Sequence, residues 1–185
     1  AQAGILQTFD FETGDLSQLD STEIEYSTAS VTVSTAVARK GTYSMKAYIQ
    51  TADKRAEGVS QLRGTVGGVN WYGWSIYVPA DYAGDGLYDI VSQFHDWHTG
   101  IPAWAEDGKA PTNFNFTTSG NLQLDLKYQS APQTVAHKSF TLGAYTRGAW
   151  HDIVVNVKWT YQSTGFMKVW LNGVLKVDYT GPTYM

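Results

Sequence analysis

Short stretches of the chain alternate apolar and polar positions, which is the pattern of half-buried β-strands. From Leu122 to Lys127 leucine occupies every second position, with Gln123, Asp125 and Lys127 in between. Thr112–Thr117 alternates in the same way, with phenylalanine as its apolar residue. Because successive side chains of a strand point to opposite faces of a sheet, each segment has one core face and one polar face. No stretch has the apolar period of a helix longer than two turns.

Runs of β-branched and aromatic residues recur along the chain, separated by Gly, Asn, Asp or Pro. They predict about thirteen strands, near Leu6–Phe11, Glu23–Ser27, Ser30–Val37, Tyr43–Gln50, Glu57–Leu62, Trp71–Val78, Asp89–His95, Thr112–Thr117, Asn121–Tyr128, Val135–Phe140, His151–Trp159, Gly165–Leu171 and Val174–Tyr179. Asn172-Gly173 predicts a type I′ hairpin, and Ser119-Gly120 predicts another tight turn. The expected fold is all-β, a sandwich or jelly roll of two antiparallel sheets.

Length and composition limit the class of protein. The 185 residues suit one domain that buries about 70% of its unfolded surface. The absence of cysteine excludes disulfides and thiolate metal sites. No apolar run approaches the ~20 residues of a membrane span, so no membrane partner is expected. The small residues of Ala1-Gln2-Ala3 suit a mature secreted protein, and an extracellular location is therefore predicted.

The charge and the aromatic content narrow the choice of partner. A net charge of −4 argues against nucleic acid, and it means that an anionic substrate must meet a local cationic cluster. The chain has 7 Trp and 12 Tyr, more than a modest core requires. Such rings often line sugar-binding clefts, although a Tyr-rich sandwich gives the same composition. The chain is expected to act as a monomer.

Two strands carry the residue types of a reactive surface. Near the end of the run Asp89–His95, Gln93 and His95 share one face, and Arg55 and Glu57 share a face of an earlier strand. If these strands lie in one sheet with Thr112–Thr117 and Leu122–Tyr128, their polar faces form a cleft. Its lining would then be Arg55, Glu57, Gln93, His95, Asn115 and Lys127. The long loop His98–Pro111 follows directly, and long loops on rigid sandwiches usually serve a binding site.

Four segments give the chain a resemblance to a known family. They are Arg55-Ala56-Glu57, Tyr72–Pro79, Gln93-Phe94-His95, and Gly148–Val155 with the following Gly165–Gly173. The chain resembles the heparin-lyase-I-like polysaccharide lyases, the β-jelly-roll group that includes the glucuronan lyases. The resemblance spans roughly residues 40–182 and implies a concanavalin-like β-jelly roll with a polar concave cleft. R-x-E followed by Q-x-H is its specific part.

The end of the sequence departs from that family. Its members usually continue past the region of Gly181-Pro182 into a strand of the form Y-F-K-x-G-x-Y, which supplies a catalytic tyrosine and a lysine. This sequence ends at Met185. The prediction is therefore one jelly-roll domain, residues 1–185, without that strand. By resemblance the acid tyrosine lies beyond Met185, and within the chain Tyr184 and Tyr128 are weak substitutes.

The resemblance implies β-elimination on a uronic acid, which needs a group that neutralises the carboxylate, a base at C5 and an acid at O4. Arg55 suits the first task because its planar fork meets a carboxylate bidentately. Gln93 can donate its amide to the same carboxylate, and His95 can act as base. The remaining predicted substrate contacts are Glu57, which would orient Arg55, and Trp97, His98, Asn115 and Lys127.

No cofactor is required by this chemistry, and one metal site is conceivable. Asp10, Glu12 and Asp178 could hold a structural calcium ion if the first and last strands pair, since calcium prefers oxygen ligands. The four histidines show no zinc spacing.

Two hypotheses follow. The first is a secreted lyase that cleaves an acidic, uronate-containing polysaccharide such as glucuronan. The second is a non-catalytic carbohydrate-binding or laminin-G-like module of the same fold. The Q-x-H strand favours the enzyme, and the missing C-terminal strand favours the module. A laminarinase-type glycoside hydrolase is disfavoured because its E-x-D-x-x-E strand is absent.

Overall fold

The computed structural model describes residues 4–50, 53–62, 64–84, 86, 88–95, 110–131 and 134–184. These residues form strands, turns and irregular segments but no helix, so the all-β prediction is confirmed. No described segment is a helix of the length and apolarity that a membrane crossing requires. The chain divides into two compact units, Ala1–Arg63 and Gly64–Met185.

The first unit holds two small antiparallel sheets. Its strands are β1 (Ser21–Glu25), β2 (Ser30–Ser34), β3 (Ser44–Tyr48) and β4 (Arg55–Val59). β1 pairs with β4, and β2 pairs with β3. In the first pair Glu23 lies opposite Glu57 and Glu25 lies opposite Arg55, so charged side chains meet across the ladder.

The strand predicted at Leu6–Phe11 does not form. Ile5 is 87% exposed and Leu6 is 85% exposed, so their apolar side chains have no core against which a strand could pack. At the end of the segment Phe11 has a φ of 60°, which is not a strand conformation. The backbone N–H of Phe11 donates to the side-chain oxygen of Gln18 at 2.7 Å instead of to a neighbouring strand.

The second unit is built from two four-stranded antiparallel sheets. Its strands are β5 (Val69–Val78), β6 (Asp89–Phe94), β7 (Thr112–Phe116), β8 (Asn121–Ala131), β9 (Thr134–Ala144), β10 (Ala149–Lys158), β11 (Phe166–Leu171) and β12 (Val174–Thr180). One sheet has the order β12-β11-β10-β5, and the other has the order β6-β7-β8-β9. Pairs adjacent in both sequence and space, such as β7-β8 and β11-β12, follow the predicted turns.

The core of this unit lies between its two sheets. Phe114 and Leu124 from one sheet and Ile153 and Met167 from the other are 0% exposed. Trp74 of β5 meets Phe114 of β7 edge to face, with ring centroids 5.0 Å apart. Burying each such side chain contributes roughly 1.5–3 kcal/mol relative to exposure. The predicted two-sheet sandwich is therefore confirmed.

The hairpin between β11 and β12 has the predicted turn. Asn172 and Gly173 have φ angles of 50° and 78°, as a type I′ turn requires at both central residues. The turn is also tied to β10, because Asn172 exchanges hydrogen bonds with the backbone of Asp152. Its side-chain oxygen accepts from the N–H of Asp152, and its own N–H donates to the carbonyl of Asp152, both at 2.8 Å.

We expect Tyr179 to weaken the fold at alkaline pH. Its side chain is buried, and burial, followed by the nearby Tyr128, raises the pKa of Tyr179 to about 12. Between pH 10 and 12 the unfolded chain loses this proton while the folded chain keeps it, so stability falls as pH rises through that range. Tyr179→Phe should remove up to about 2 kcal/mol of this decline, as measured by urea unfolding at a series of pH values.

The control is Tyr161→Phe, which changes a tyrosine that is 40% exposed. Between pH 10 and 12 the free energy of unfolding of that variant should fall as much as that of the wild type. Parallel declines for the wild type and for Tyr179→Phe would contradict the prediction.

Candidate active site

A row of polar residues crosses the sheet β6-β7-β8-β9 of the second unit. Gln93 pairs with Asn113, Asn113 pairs with Asp125, and Asp125 pairs with Ser139, so one residue comes from each strand. Their neighbours along the strands, such as Phe114, face the core, which places this row on the opposite, polar face. With strands ~4.8 Å apart the row spans roughly 14 Å.

The next row along the same face is basic. Lys127 lies opposite His137 in the β8-β9 ladder. His95 directly follows the last residue of β6 and is exposed. Because side chains alternate along a strand, His95 lies on the same face as Gln93. The sheet therefore joins the predicted residues Gln93, Asn115 and Lys127 on one face, as expected.

Asp125 organises this face, although the sequence marked it only as a polar position. Its Oδ2 accepts from the side-chain amide of Asn115 at 2.6 Å. Its Oδ1 accepts from the amide of Gln123 at 2.9 Å and from the hydroxyl of Ser139 at 2.6 Å. The ring Nε2 of His137 lies 3.4 Å from the same oxygen. These contacts hold the carboxylate in one orientation.

Two asparagines near Asp125 are buried, and the side-chain oxygen of each accepts no hydrogen bond from the described residues. Asn115 is 1% exposed and Asn113 is 9% exposed. The side-chain carbonyl oxygen of each has no hydrogen-bond partner in the part of the chain that the structure describes. Leaving such a group buried and unpaired costs about 1–3 kcal/mol, so both oxygens favour a donor from a bound molecule or water.

The polar face contains a depression with a volume of about 440 Å³. We call it the Asp125 depression. Its described lining comes from the segment before β6, from the β7-β8 turn and from the polar faces of β7, β8 and β9. The lining residues include Tyr88, Asn115, Gln123, Asp125, His137 and Ser139. Apart from Gly86, its described lining residues carry polar side chains, and the aromatic ring of Tyr88 is 64% exposed. This combination suits a hydroxyl-rich ligand.

Arg55 and Glu57 lie in the first unit, where the guanidinium is surrounded by carboxylates. Arg55 Nη1 donates to Glu23, and Nε lies 3.7 Å from Glu57 and 3.9 Å from Glu25. The hydrogen bond to Glu23 is the largest cause that raises the pKa of Arg55. The orienting role of Glu57 stays a prediction.

The assumption that Arg55 and Glu57 share a sheet with Gln93 is wrong for the described residues. Their strand, β4, pairs with β1 in a separate two-stranded sheet. Alternation along a strand predicts which of its residues share a face, but it carries no information about the partner strand.

The other residues predicted for substrate contact or for proton transfer fall in two groups. Trp97 and His98 lie outside the described residues. Tyr128 and Tyr184 pack against the hydrophobic core of the second unit. The ring of Tyr128 is tilted against that of Tyr179, with ring centroids 6.3 Å apart, on the face opposite to that of Asp125.

The residues proposed for calcium have other partners. The side-chain amide of Gln18 and the backbone N–H of Glu12 donate to Asp10 and lower the pKa of its carboxyl. One oxygen of Glu12 accepts from two backbone N–H groups, and Asp178 lies 3.3 Å from the ammonium of Lys168. The described residues contain no cluster of three His, Asp or Glu side chains that could hold a metal. The calcium site stays a prediction.

Comparison with known proteins adds two findings. A family model described as polysaccharide lyase matches residues 11–185. The fold is similar to the crystal structure of endo-β-1,4-glucuronan lyase from the fungus Trichoderma reesei, with a TM-score of 0.75 and 21% identity. That similarity covers 92% of this chain and 76% of the other. A comparison with curated proteins finds no match.

Proposed function

The chain belongs to the polysaccharide lyase family, and from this premise we propose that it cleaves an acidic, uronate-containing polysaccharide such as glucuronan by β-elimination. The observation that carries the proposal is the polar sheet face on which Gln93 stands beside the exposed His95. The similarity to a glucuronan lyase supports glucuronan as the first substrate to test. A polymer of this kind is met outside the cell, so secretion is part of the proposal.

In the proposed reaction the imidazole of His95 accepts the C5 proton of a 4-linked uronate. The electron pair of the C5–H bond forms the C4–C5 double bond, and the C4–O4 bond breaks. In a β-1,4-linked glucuronate the C5 hydrogen and O4 lie on the same face of the ring. The imidazolium of His95 can therefore pass the proton to the departing O4, which balances the reaction.

Charge on the uronate carboxylate must be compensated as the C5–H bond breaks. The amide of Gln93 can donate to that carboxylate, and Lys127 adds positive charge to the same sheet face. In the proposal Arg55, in the first unit, also has the role of binding a uronate carboxylate of the polymer. Glu23 would compete with the substrate carboxylate for Arg55, because Glu23 already accepts a hydrogen bond from the Arg55 guanidinium.

His95→Ala should abolish cleavage. The test is the ultraviolet absorbance of the 4,5-unsaturated uronate product, with glucuronan, alginate and heparin as separate substrates. We expect wild-type product from glucuronan and a loss of about 10²–10⁴-fold in kcat for His95→Ala, because a general base contributes that much. Thermal unfolding of both proteins controls for the fold.

Absence of product from every uronate polymer would contradict the lyase proposal, and sugar binding without cleavage would favour the carbohydrate-binding module. If His95→Ala kept the wild-type activity, the role of His95 would be contradicted but the lyase proposal would not.

Gln93→Glu should be more damaging than Gln93→Ala. The first change keeps the size of the side chain but places a negative charge beside the substrate carboxylate, whereas the second only removes the donor. Removing one such donor typically costs about 10²–10³-fold in kcat. Steady-state kinetics of the two variants give the comparison. Equal losses would show that Gln93 does not face the carboxylate.

Glu23→Gln should lower KM, and Arg55→Gln should raise it. The first change removes a carboxylate that competes for Arg55 while it leaves the guanidinium in place. Arg55→Lys is the matched control, because it keeps the charge without the planar fork. If Arg55→Gln changes only the stability of the protein, by up to about 1 kcal/mol as expected of a surface ion pair, the guanidinium does not bind substrate.

A further inference from the structure

Resting on the proposed function, we propose that the Asp125 depression is a second sugar subsite, which binds the hydroxyl edge of a pyranose next to the residue that undergoes elimination. Its ligand is an uncharged part of the polysaccharide, namely the vicinal hydroxyl groups of a neighbouring residue. The subsite thus has the opposite preference to the centre at Gln93 and His95, where a carboxylate must bind.

The floor of the depression offers hydrogen-bond acceptors that need donors. The amide of Asn115 has its nitrogen toward Asp125, because the reverse orientation would bring its oxygen against the carboxylate. Its oxygen is consequently left as an unpaired acceptor on a side chain that is 1% exposed. Sugar hydroxyl groups can donate to Asp125, whose side chain is 18% exposed, and hydrogen bonds to a charged group contribute about 1.5–3 kcal/mol.

The charge of the depression argues against a carboxylate at this position. Among its described lining residues, Asp125 is an acid, and none is Lys or Arg. His137 is the basic partner, and it is directed at Asp125 rather than being an independent cation site. A uronate carboxylate here would meet like charge, whereas hydroxyl groups would not.

Spacing along the sheet matches a 4-linked polymer. Asn115 and Asn113 are two residues apart on β7, or roughly 6.6 Å, and Asn113 lies beside Gln93. Successive residues of a β-1,4-linked chain are turned by about half a rotation, so neighbours present opposite edges to one surface. When one residue directs its carboxylate to the Gln93 end, the next directs its C2 and C3 hydroxyl groups to the depression. The exposed ring of Tyr88 can stack on its apolar face.

The test is the dependence of KM on substrate length. Glucuronan oligosaccharides of increasing length are cleaved by the wild type, by Tyr88→Ala and by Asp125→Asn. For chains long enough to reach the depression we expect KM to rise about 10-fold or more in both variants, with kcat little changed. The shortest cleaved oligosaccharide should show no change. Tyr161→Ala, which alters another exposed tyrosine of this unit, should match the wild type at every length.

A neutral probe separates this inference from the lyase proposal. Cellotetraose has the same linkage without carboxylates, and calorimetry measures its binding whether or not the protein cleaves uronates. We expect wild-type binding that Asp125→Asn and Tyr88→Ala each weaken at least about 10-fold. A lower KM for glucuronan in Asp125→Asn would overturn the inference, since it would mean that Asp125 repels a carboxylate. So would a KM change that is equal at all lengths, or cellotetraose binding that neither variant weakens.

Discussion

The packing of β7 and β8 against the opposite sheet is the constraint on which the polar face depends. Phe114 and Leu124 fill the interior so completely that neither has any exposed surface. Because side chains alternate, burying these residues forces Asn115 and Asp125 onto the other face. A slip of one residue would turn Phe114 of β7 to the outer face, and the same slip in β8 would bury the carboxylate of Asp125 in place of Leu124. The hydrophobic core therefore determines the position of the polar row.

The polar face is organised by one carboxylate rather than by several independent residues. Asp125 receives hydrogen bonds from the side chains of Asn115 on β7, Gln123 on its own strand β8 and Ser139 on β9. This network leaves an acceptor of Asn115 unpaired within a buried site. Leaving such an acceptor buried and unpaired costs about 1–3 kcal/mol, which a donor from a bound molecule or water would recover.

The two units use charge differently. In the first unit, one guanidinium is surrounded by Glu23, Glu25 and Glu57, an arrangement that already compensates its charge. In the second, Lys127 and His137 lie beside a single carboxylate on an open sheet face. A negatively charged ligand would therefore compete with Glu23 for Arg55 and with Asp125 for His137.

Local alternation was enough to predict the class of fold, most strands, the Asn172-Gly173 turn and the face on which Gln93 and Asp125 lie, because each depends on neighbours in sequence. The same pattern failed at Leu6–Phe11, where Leu6 is 85% exposed and Phe11 has a positive φ. The tertiary structure alone decided that β4 pairs with β1, that Asn115 and Ser139 donate to Asp125, and that His137 lies beside Asp125. These contacts depend on strand pairing and register, which arise from core packing across the whole unit and leave no local signal in the sequence.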